Sequence, residues 1–324
     1  GFSFGSSKNG ARVESTSAAS ETFSKNLIYT NSVRSVVANA GYGTLTVASA
    51  VSADEVGAGA VAEFAGERGP IVFSPAFAGA AVPGTFRFSG RKGVVLPAST
   101  VLPAGVAKVQ LADETSLTVE GAGVRALPEL ENVSDGNRVY IPAGVDLTLA
   151  NVAVTAGTLD LVTESRTSTI TVTGLSGVSP AGLLFNGIPA AIGADGRLVA
   201  QNTPVDRTIA ARGDAVPNAP SEAVGITAAG EGANTGLAAD ATSVAALVHQ
   251  HAGPAVIEVG AGQTLTAGKV VLDYGAGDLT IGSQVGRGAL NAAILNNRDV
   301  DRTLIVNANV QPMSITASGK GRKL

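Results

Sequence analysis

The sequence opens with a motif of the kind that holds a catalytic serine. Gly1, Ser3 and Gly5 match the pattern G-x-S-x-G, which in hydrolases places the serine on a sharp turn between a strand and a helix. No strand precedes Gly1 in this sequence, so the motif lacks the context that exposes the nucleophile. No other nucleophile, base and orienting group stand together in a coherent context. We therefore predict that the protein is not an enzyme.

A second motif, from Gly121 to Ala126, matches G-x-G-x-x-A after the strand-like run SLTVE. A dinucleotide site would need a helix to begin at these glycines, because the pyrophosphate binds at the helix N-terminus. Pro128 and the short segment LPELEN leave no room for that helix. The sequence favours a glycine corner between two strands.

Histidine is scarce, since His249 and His251 are the only two in the chain. At this spacing they share one side only in an extended chain, and no H-E-x-x-H motif or cysteine lies nearby. A metal or general-base role is one interpretation. We favour a pair at a helix end or in a loop, because the Ala-rich residues 238–250 (AADATSVAALVHQ) are the best helix candidate in the chain.

Acidic pairs occur at Asp54-Glu55, at Asp113-Glu114, and at Asp299 with Asp301. A calcium site needs several oxygen ligands that converge on one loop. Arg298 and Arg302 flank the third pair, which favours a salt-bridged turn there. We predict no cofactor and leave calcium open. A carboxylate pair of the glycosidase type also stays open, because its two members would come from different coils of a β-helix.

The composition indicates a β-rich chain with an unusual surface. Apolar residues make up 45% of the chain and aromatic residues only 4%, so the core consists of many small layers, as in stacked sheets or coils. Charged residues are 15%, against roughly 25% in typical soluble domains. Such a surface favours burial against copies of the chain or against another partner. The net charge of −4 argues against nucleic acid as the main ligand, since phosphates require a basic face.

The sequence has no cysteine and one methionine, Met313. The lack of disulfides fits a bacterial or viral product, or a core that needs no cross-link. Because the first residue is Gly1, we expect that a segment was removed upstream by signal-peptide cleavage, by viral maturation or in expression. No apolar run approaches the roughly 18 residues of a membrane-spanning helix, and we predict no transmembrane segment.

Short strands separated by glycine corners dominate the chain, most clearly from Pro254 to Gly282. The segment LPAGVAKVQLADETSLTVEG from Leu102 aligns with IPAGVDLTLANVAVTAGTLDL from Ile141, and less well with the segment from Val259. Such self-similarity is typical of a solenoid, although Pro-Ala-Gly also recurs by chance in so Ala- and Gly-rich a chain. We predict an all-β fold with little helix, either a β-helix (solenoid) or stacked β-sandwich domains.

Changes in composition divide the chain into four parts. Residues 1–40 form an N-terminal arm, 41–175 a β-rich domain, 176–240 an irregular Pro/Gly-rich connection, and 241–324 a C-terminal β-rich part. The basic end of the last part, KGRKL, is either a solvated tail, which we favour, or a site for a phosphate-bearing surface glycolipid.

The arm carries apolar residues in a Ser- and Asn-rich stretch, which a tail free in water would not need. We expect six of them to pack on an adjacent subunit by strand addition: Phe2, Phe4, Phe23, Leu27, Ile28 and Tyr29. The alternative is a first strand or cap within the same chain.

With no cysteine, one methionine, an acidic pI and short strands such as QTLTAGKVVLDYGAGDLTI, the chain resembles bacterial surface-layer proteins and β-helical secreted surface proteins. The resemblance implies a secreted, extracellular structural subunit that assembles with copies of itself into a layer or filament. It also implies cell-surface glycolipid or polysaccharide as a further partner. A structural protein of a phage or virus shares these traits and is the alternative, and a β-helical polysaccharide-active enzyme comes third.

Overall fold

The structure is a computed structural model. It describes residues 2–7, 10–24, 34–48, 59–74, 84–177, 182–210, 214–227, 233–283, 285–299, 301–310 and 314–317. Within these ranges every regular element is a strand. Most strands pair in parallel, coil upon coil, and form a β-solenoid. The predicted all-β fold is therefore confirmed, and of the two predicted architectures the β-helix is the one observed. The chain divides into two compact units, Gly1–Val199 and Ala200–Leu324.

The first unit contains these strands: β1 (Phe2–Ser7), β2 (Gly10–Ser15), β3 (Glu21–Phe23), β4 (Arg34–Asn39), β5 (Leu45–Val47), β6 (Val61–Gly66), β7 (Ile71–Phe73), β8 (Thr85–Ser89), β9 (Val94–Leu96), β10 (Lys108–Leu111), β11 (Ser116–Val119), β12 (Gly123–Asn132), β13 (Asn137–Ile141), β14 (Val145–Val154), β15 (Leu159–Thr163), β16 (Thr169–Val172), β17 (Leu175–Ser176), β18 (Leu183–Phe185), β19 (Ile188–Ile192) and β20 (Leu198–Ala200, whose last residue is assigned to the second unit).

Successive strands of the first unit alternate between two sheets. The even-numbered strands from β2 to β16 follow one another in sheet A, and the odd-numbered strands from β3 to β15, followed by β18, do so in sheet B. Within each sheet a strand pairs in parallel with the strand of the next coil, as Leu117 does with Val139 and Val139 with Leu161. Each coil is thus hydrogen-bonded to the coils before and after it.

The longest strands bend once, so that each covers two sides of a coil. In β14 the buried positions are odd-numbered from Val145 to Leu149, and then include the even-numbered Val152 and Val154. Because side chains alternate along a straight strand, this change marks a corner. The pairing of β12 with β14 skips Pro128 at the same place.

Inward-facing side chains of neighbouring coils stack in rows. Val37, Phe64 and Phe88 occupy consecutive positions in one row of sheet A. The ring of Phe64 lies 4.8 Å from that of Phe73 and 5.3 Å from that of Phe86, between centroids, in the tilted arrangements that aromatic rings favour. Four phenylalanines, the fourth being Phe88, thus form one aromatic cluster, while Val, Leu and Ile fill most of the remaining core.

Antiparallel pairs flank the parallel coils of the first unit. At one end β1 pairs antiparallel with β2. At the other, Phe185 of β18 pairs with Ile188 of β19, which leaves a two-residue turn of Asn186 and Gly187 with φ of 54° and 75°. Positive φ at both central residues is the type I′ geometry, for which Asn-Gly is the preferred sequence. One end of sheet A and the opposite end of sheet B therefore differ from the parallel coils between them.

The second unit contains these strands: β21 (Arg207–Ile209), β22 (Ala219–Ile226), β23 (Ala233–Thr235), β24 (Ala241–His249), β25 (Ala255–Ile257), β26 (Thr264–Leu272), β27 (Leu279–Gly282), β28 (Ala289–Asn297), β29 (Leu304–Asn307), β30 (Asn309–Val310) and β31 (Ser314–Ala317).

These strands also form two parallel sheets. Sheet C has the order β21-β22-β24-β26-β28, followed by β30 and β31, and sheet D has the order β23-β25-β27-β29. The long strands of sheet C bend as β14 does: in β26 the buried positions pass from Leu265 and Ala267 to Val270 and Leu272. The interior of this unit is filled by aliphatic side chains from both sheets.

The predicted helix over 238–250 is wrong, because residues 241–249 form β24, which pairs in parallel with β22 and β26. One face of β24 points to the interior, and on the other face Ala246 and Val248 pack against Val205. A strand buried on both faces reads as a continuous apolar run, which periodicity alone cannot distinguish from a buried helix.

The predicted segments 1–40 and 176–240 both contain strands. β1 to β4 lie in the first, where each pairs with a strand of its own chain. β18 to β23 lie in the second, and the division between the two units, after Val199, falls within it.

Candidate functional site

The structure places both sequence motifs between strands. Ser3 of the G-x-S-x-G motif lies in β1, which is followed by β2 and not by a helix. The G-x-G-x-x-A motif lies where β11 gives way to β12, and Gly121 and Gly123 have φ of 136° and 74°. These are backbone conformations that favour glycine. The glycine corner between two strands is therefore confirmed.

The acidic pair Asp113-Glu114 forms a strained corner that arginines hold. Both residues have positive φ, of 60° and 58°, which costs free energy in non-glycine residues. Glu114 pairs with Arg91 at 2.9 Å, and Asp113 lies 3.9 Å from Arg87. Asp54-Glu55 lies outside the described residues. Among the residues that the structure describes, no group of three or more His, Cys, Asp or Glu is arranged to hold a metal ion.

The turn at Asp299 is held by main-chain hydrogen bonds. Asp299 is fully buried and accepts the N–H of Gly275 at 2.8 Å and that of Asp301 at 2.9 Å. Arg298, expected to pair within this turn, instead reaches Asp273 at 3.3 Å. Arg298 therefore forms a salt bridge with a carboxylate of the preceding coil, and not the expected one within the turn.

Asp273 is a buried carboxylate of the second unit with several hydrogen-bond donors around it. It is fully buried and accepts both the N–H (2.8 Å) and the hydroxyl (2.7 Å) of Thr203, together with the Gln250 amide at 3.0 Å. The Arg298 guanidinium completes the set and also donates to the Thr203 hydroxyl at 2.8 Å. These bonds fasten the segment around Thr203 to β24, β26 and β28, so the role of Asp273 is structural.

His249 is fully buried in β24, whereas His251 lies half-buried after it. The Nε2 atom of His249 lies 3.0 Å from the Gly253 carbonyl oxygen, to which it donates as N–H, and its Nδ1 has no hydrogen-bond partner among the described residues. Burial lowers the pKa of His249 to about 4, because a charged imidazolium would lose its hydration there. The His249 imidazole is therefore neutral at pH 7.

Charged side chains on the outer face of sheet A form a connected row across the coils. Glu63 is almost fully buried beneath its partners: it pairs with Arg34 and accepts a hydrogen bond from Ser89 at 2.6 Å. The next residue in its row, Arg87, lies 3.7 Å from Glu63 and donates to Gln110 at 2.9 Å. The row thus joins successive coils by their side chains.

Beside this row, Lys108 of β10 lies between two carboxylates of β12. Its Nζ lies 3.0 Å from Glu129 and 3.0 Å from Glu131, and the hydrogen bonds to Glu129 and Glu131 raise the pKa of Lys108. Gln110 donates to Glu131 at 3.0 Å. Lys108 and Gln110 of β10 thus bind the carboxylates of β12, so these side chains link two successive coils.

Arg125 lies beside a cavity of about 270 Å³ in the first unit. Its guanidinium donates to four main-chain carbonyl oxygens, those of Pro97 (3.0 Å), Ala98, Thr100 (2.7 Å) and Glu120 (2.6 Å). Burial lowers the pKa of Arg125. These hydrogen bonds hold residues 97–100 against β12. The carbonyl oxygens therefore account for the guanidinium group beside the cavity, and an anionic ligand is not needed to explain it.

Strand β29 is the last described strand of sheet D. In the part of the chain that the structure describes, β29 has β27 as its one neighbour in the sheet. The N–H of Leu279 bonds to the carbonyl of Thr303 at 3.1 Å. Because bonding alternates along a parallel strand, Ile305 then faces β27, and the main-chain groups of Leu304 and Val306 face away from it. The β29 sequence, LIVN, carries no charge.

The six predicted assembly residues fall in different places. Phe2 and Phe4 lie in β1, which pairs with β2 of its own chain. Phe23 is 3% exposed and packs in the core of its own coil. Leu27, Ile28 and Tyr29 lie outside the described residues. An intersubunit role for this segment stays a prediction.

The described residues include no helix of the length and hydrophobicity needed to cross a membrane. No family model, no curated protein and no solved structure matches the chain.

Proposed function

We propose that the chain is a non-catalytic structural subunit that is secreted and assembles with copies of itself into an extracellular layer or filament. The observation that carries the proposal is the edge of sheet D at β29, which has β27 as its one strand neighbour among the described residues. An exposed edge presents unpaired N–H and C=O groups that another strand can pair with.

The chemistry of this edge supports strand addition. Natural proteins commonly protect an edge with lysine, proline or a bulge, and β29 has none of these between Leu304 and Asn307. Ile305, on the outer face of the strand, is 40% exposed. A parallel strand added there would continue the ladder in the same direction, which is a head-to-tail contact that propagates without closing.

The charged side chains support a structural role over a catalytic one. Glu63, Glu129 and Glu131 are each paired with a basic residue of their own or a neighbouring coil. Such pairs hold neighbouring coils together, which is a structural use of the charges. Copies of this unit would meet through main-chain pairing and apolar contact.

Val306→Pro tests the edge directly. Proline removes the outward N–H of Val306 without removing a bond to β27, and it is tolerated where the N–H of an edge strand faces solvent. Val306→Thr is the matched control, because it keeps the N–H and the branched shape. We expect ordered filaments or arrays of the unaltered protein and of V306T by negative-stain electron microscopy, and monomers of V306P by sedimentation velocity.

Circular dichroism must show that V306P keeps its β-structure. Assembly of V306P equal to that of the unaltered protein would refute the role of β29, and an unaltered protein that stays monomeric would refute self-assembly. Reproducible glycan turnover, lost on changing one carboxylate, would refute the non-catalytic role. Co-purification with nucleic-acid-containing particles from the native source would favour a virion component instead.

A further inference from the structure

The outer face of sheet D carries a shallow cleft of about 350 Å³. Its lining includes Val256 and Glu258 at β25, Thr280 on β27, and Asn307 on β29. These residues alternate with buried ones along their strands and therefore point outward. The cleft belongs entirely to the second unit.

Gly282 forms the floor of the cleft between Glu258 and Asn307. It pairs with Asn307 in the ladder and has φ of +116°. A Cβ atom there would lie 2.5 Å from the main-chain carbon of Asn307. The position is thus reserved for glycine, and it leaves a gap in the row of outward side chains. Parallel strands lie about 4.8 Å apart, so Glu258 and Asn307 stand two strands, or about 10 Å, from each other.

Three polar side chains of the cleft have no side-chain partners among the described residues, whereas the fourth, Ser283, bonds to the main chain of Val285. The Glu258 carboxylate, the Thr280 hydroxyl and the Asn307 amide are half-buried. None of the three makes a side-chain hydrogen bond or ion pair among the described residues. Elsewhere in the same unit, half-buried and buried polar side chains such as Gln250 and Asp273 are bonded. Polar groups that are partly desolvated and unpaired gain most from a ligand that bonds them.

The charge and spacing of these groups define the ligand class. The lining contains no lysine or arginine, and the Glu258 carboxylate repels anions. A single ammonium group would satisfy Glu258 but would leave Asn307, across the floor, unbonded. A ligand that bonds all three groups must carry several neutral donors and acceptors spread over about 10 Å.

We propose that this cleft binds a neutral polyhydroxylated ligand, a segment of a glycan chain. The Glu258 carboxylate accepts bonds from adjacent hydroxyls, and the Asn307 amide both donates and accepts. Val256 and Val285, the latter 88% exposed, offer apolar walls to the C–H faces of the sugar rings. The proposal extends beyond self-assembly and does not depend on it.

The test uses the full chain on an array of neutral oligosaccharides built from glucose, galactose, mannose and N-acetylglucosamine. Isothermal titration with the best-bound oligosaccharide then compares Glu258→Gln and Asn307→Ala with the unaltered protein. Asn309→Ala is the matched control, since Asn309 is an exposed asparagine on β30, in the other sheet. Tetralysine serves as the cationic probe. Circular dichroism checks that each variant is folded.

We expect binding of at least one array member, weakened about tenfold or more by E258Q and by N307A and unchanged by N309A. A silent array would overturn the proposal. Binding that E258Q and N307A leave unchanged would also overturn it, and so would salt-sensitive binding of tetralysine with no binding of sugars.

Discussion

The buried His249 should make the second unit sensitive to acid. Its imidazole has a pKa of about 4 in the folded chain and about 6.5 in an unfolded one. Between pH 6.5 and pH 4 the His249 imidazole is therefore protonated in the unfolded chain but not in the folded chain. The stability that His249 contributes is therefore complete above pH 6.5 and is lost as the pH falls from 6.5 to 4.

The size of this loss follows from the shift. One pKa unit corresponds to 1.36 kcal/mol, so the free energy of unfolding should fall by about 3 kcal/mol between pH 7.5 and pH 4 through His249 alone. Carboxylates also titrate in this range, so a variant must isolate the histidine. His249→Gln places an amide N–H where Nε2 donates to the Gly253 carbonyl, and it does not titrate.

The assay has two parts. Urea unfolding, followed by circular dichroism at pH 7.5 and at pH 4, should show a loss about 3 kcal/mol smaller in H249Q than in the unaltered protein. The matched control is His251→Gln, which keeps the buried imidazole and should keep the full loss. Nuclear magnetic resonance of the two imidazoles, assigned with these variants, measures the pKa of His249 directly. A His249 pKa near 6.5, or equal losses in H249Q and the unaltered protein, would refute the reasoning.

Two further substitutions test buried contacts of the second unit. Asp273→Ala should destabilise it by about 3 kcal/mol in urea unfolding, because Thr203 and Arg298 would lose their buried acceptor; Asp273→Asn keeps the shape and one acceptor oxygen and should cost less, and equal costs would contradict this by showing that the whole stabilisation depends on the charge. Gly282→Ala should cost about 3 kcal/mol or more, since it adds a main-chain clash to the strain of positive φ. Gly262→Ala, at φ +81° with no atom within 4 Å of the added Cβ, should cost about 1 kcal/mol, and a similar cost at both glycines would contradict the clash.

The fold class could be predicted because strand length and corner glycines are local properties. The coil register could not. The Pro-Ala-Gly-Val segments that end at Val106 and Val145 each form the same turn, with the valine N–H bonded to the proline carbonyl at 2.9 Å and 3.4 Å. In the ladder, however, Val145 pairs with Gly123. The sequence repeat is therefore a repeated turn at different positions in the coil.

The sites were harder to predict than the fold, because their members come from different coils. Hydrogen-bond partners in neighbouring coils are far apart in sequence: Arg87 and Gln110 are separated by 23 residues, and Thr203 and Asp273 by 70. No local spacing identifies such sets. The sequence signal that could have indicated the Asp273 site is a polar residue next to an apolar run, since Asp273 directly follows VVL. A carboxylate buried at such a position requires hydrogen-bond partners.

The turn at Asn186 and Gly187 bears on how the length of the first unit is set. Each coil before this turn offers a parallel strand edge to the next coil. A duplicated coil would therefore fit between two existing coils and contact only those two. β19 runs against the direction of β18 and so ends this series of parallel strand edges. Gene duplication can thus add coils to the first unit upstream of Phe185. The position at which the parallel coils end is set by the two residues of the Asn186-Gly187 turn.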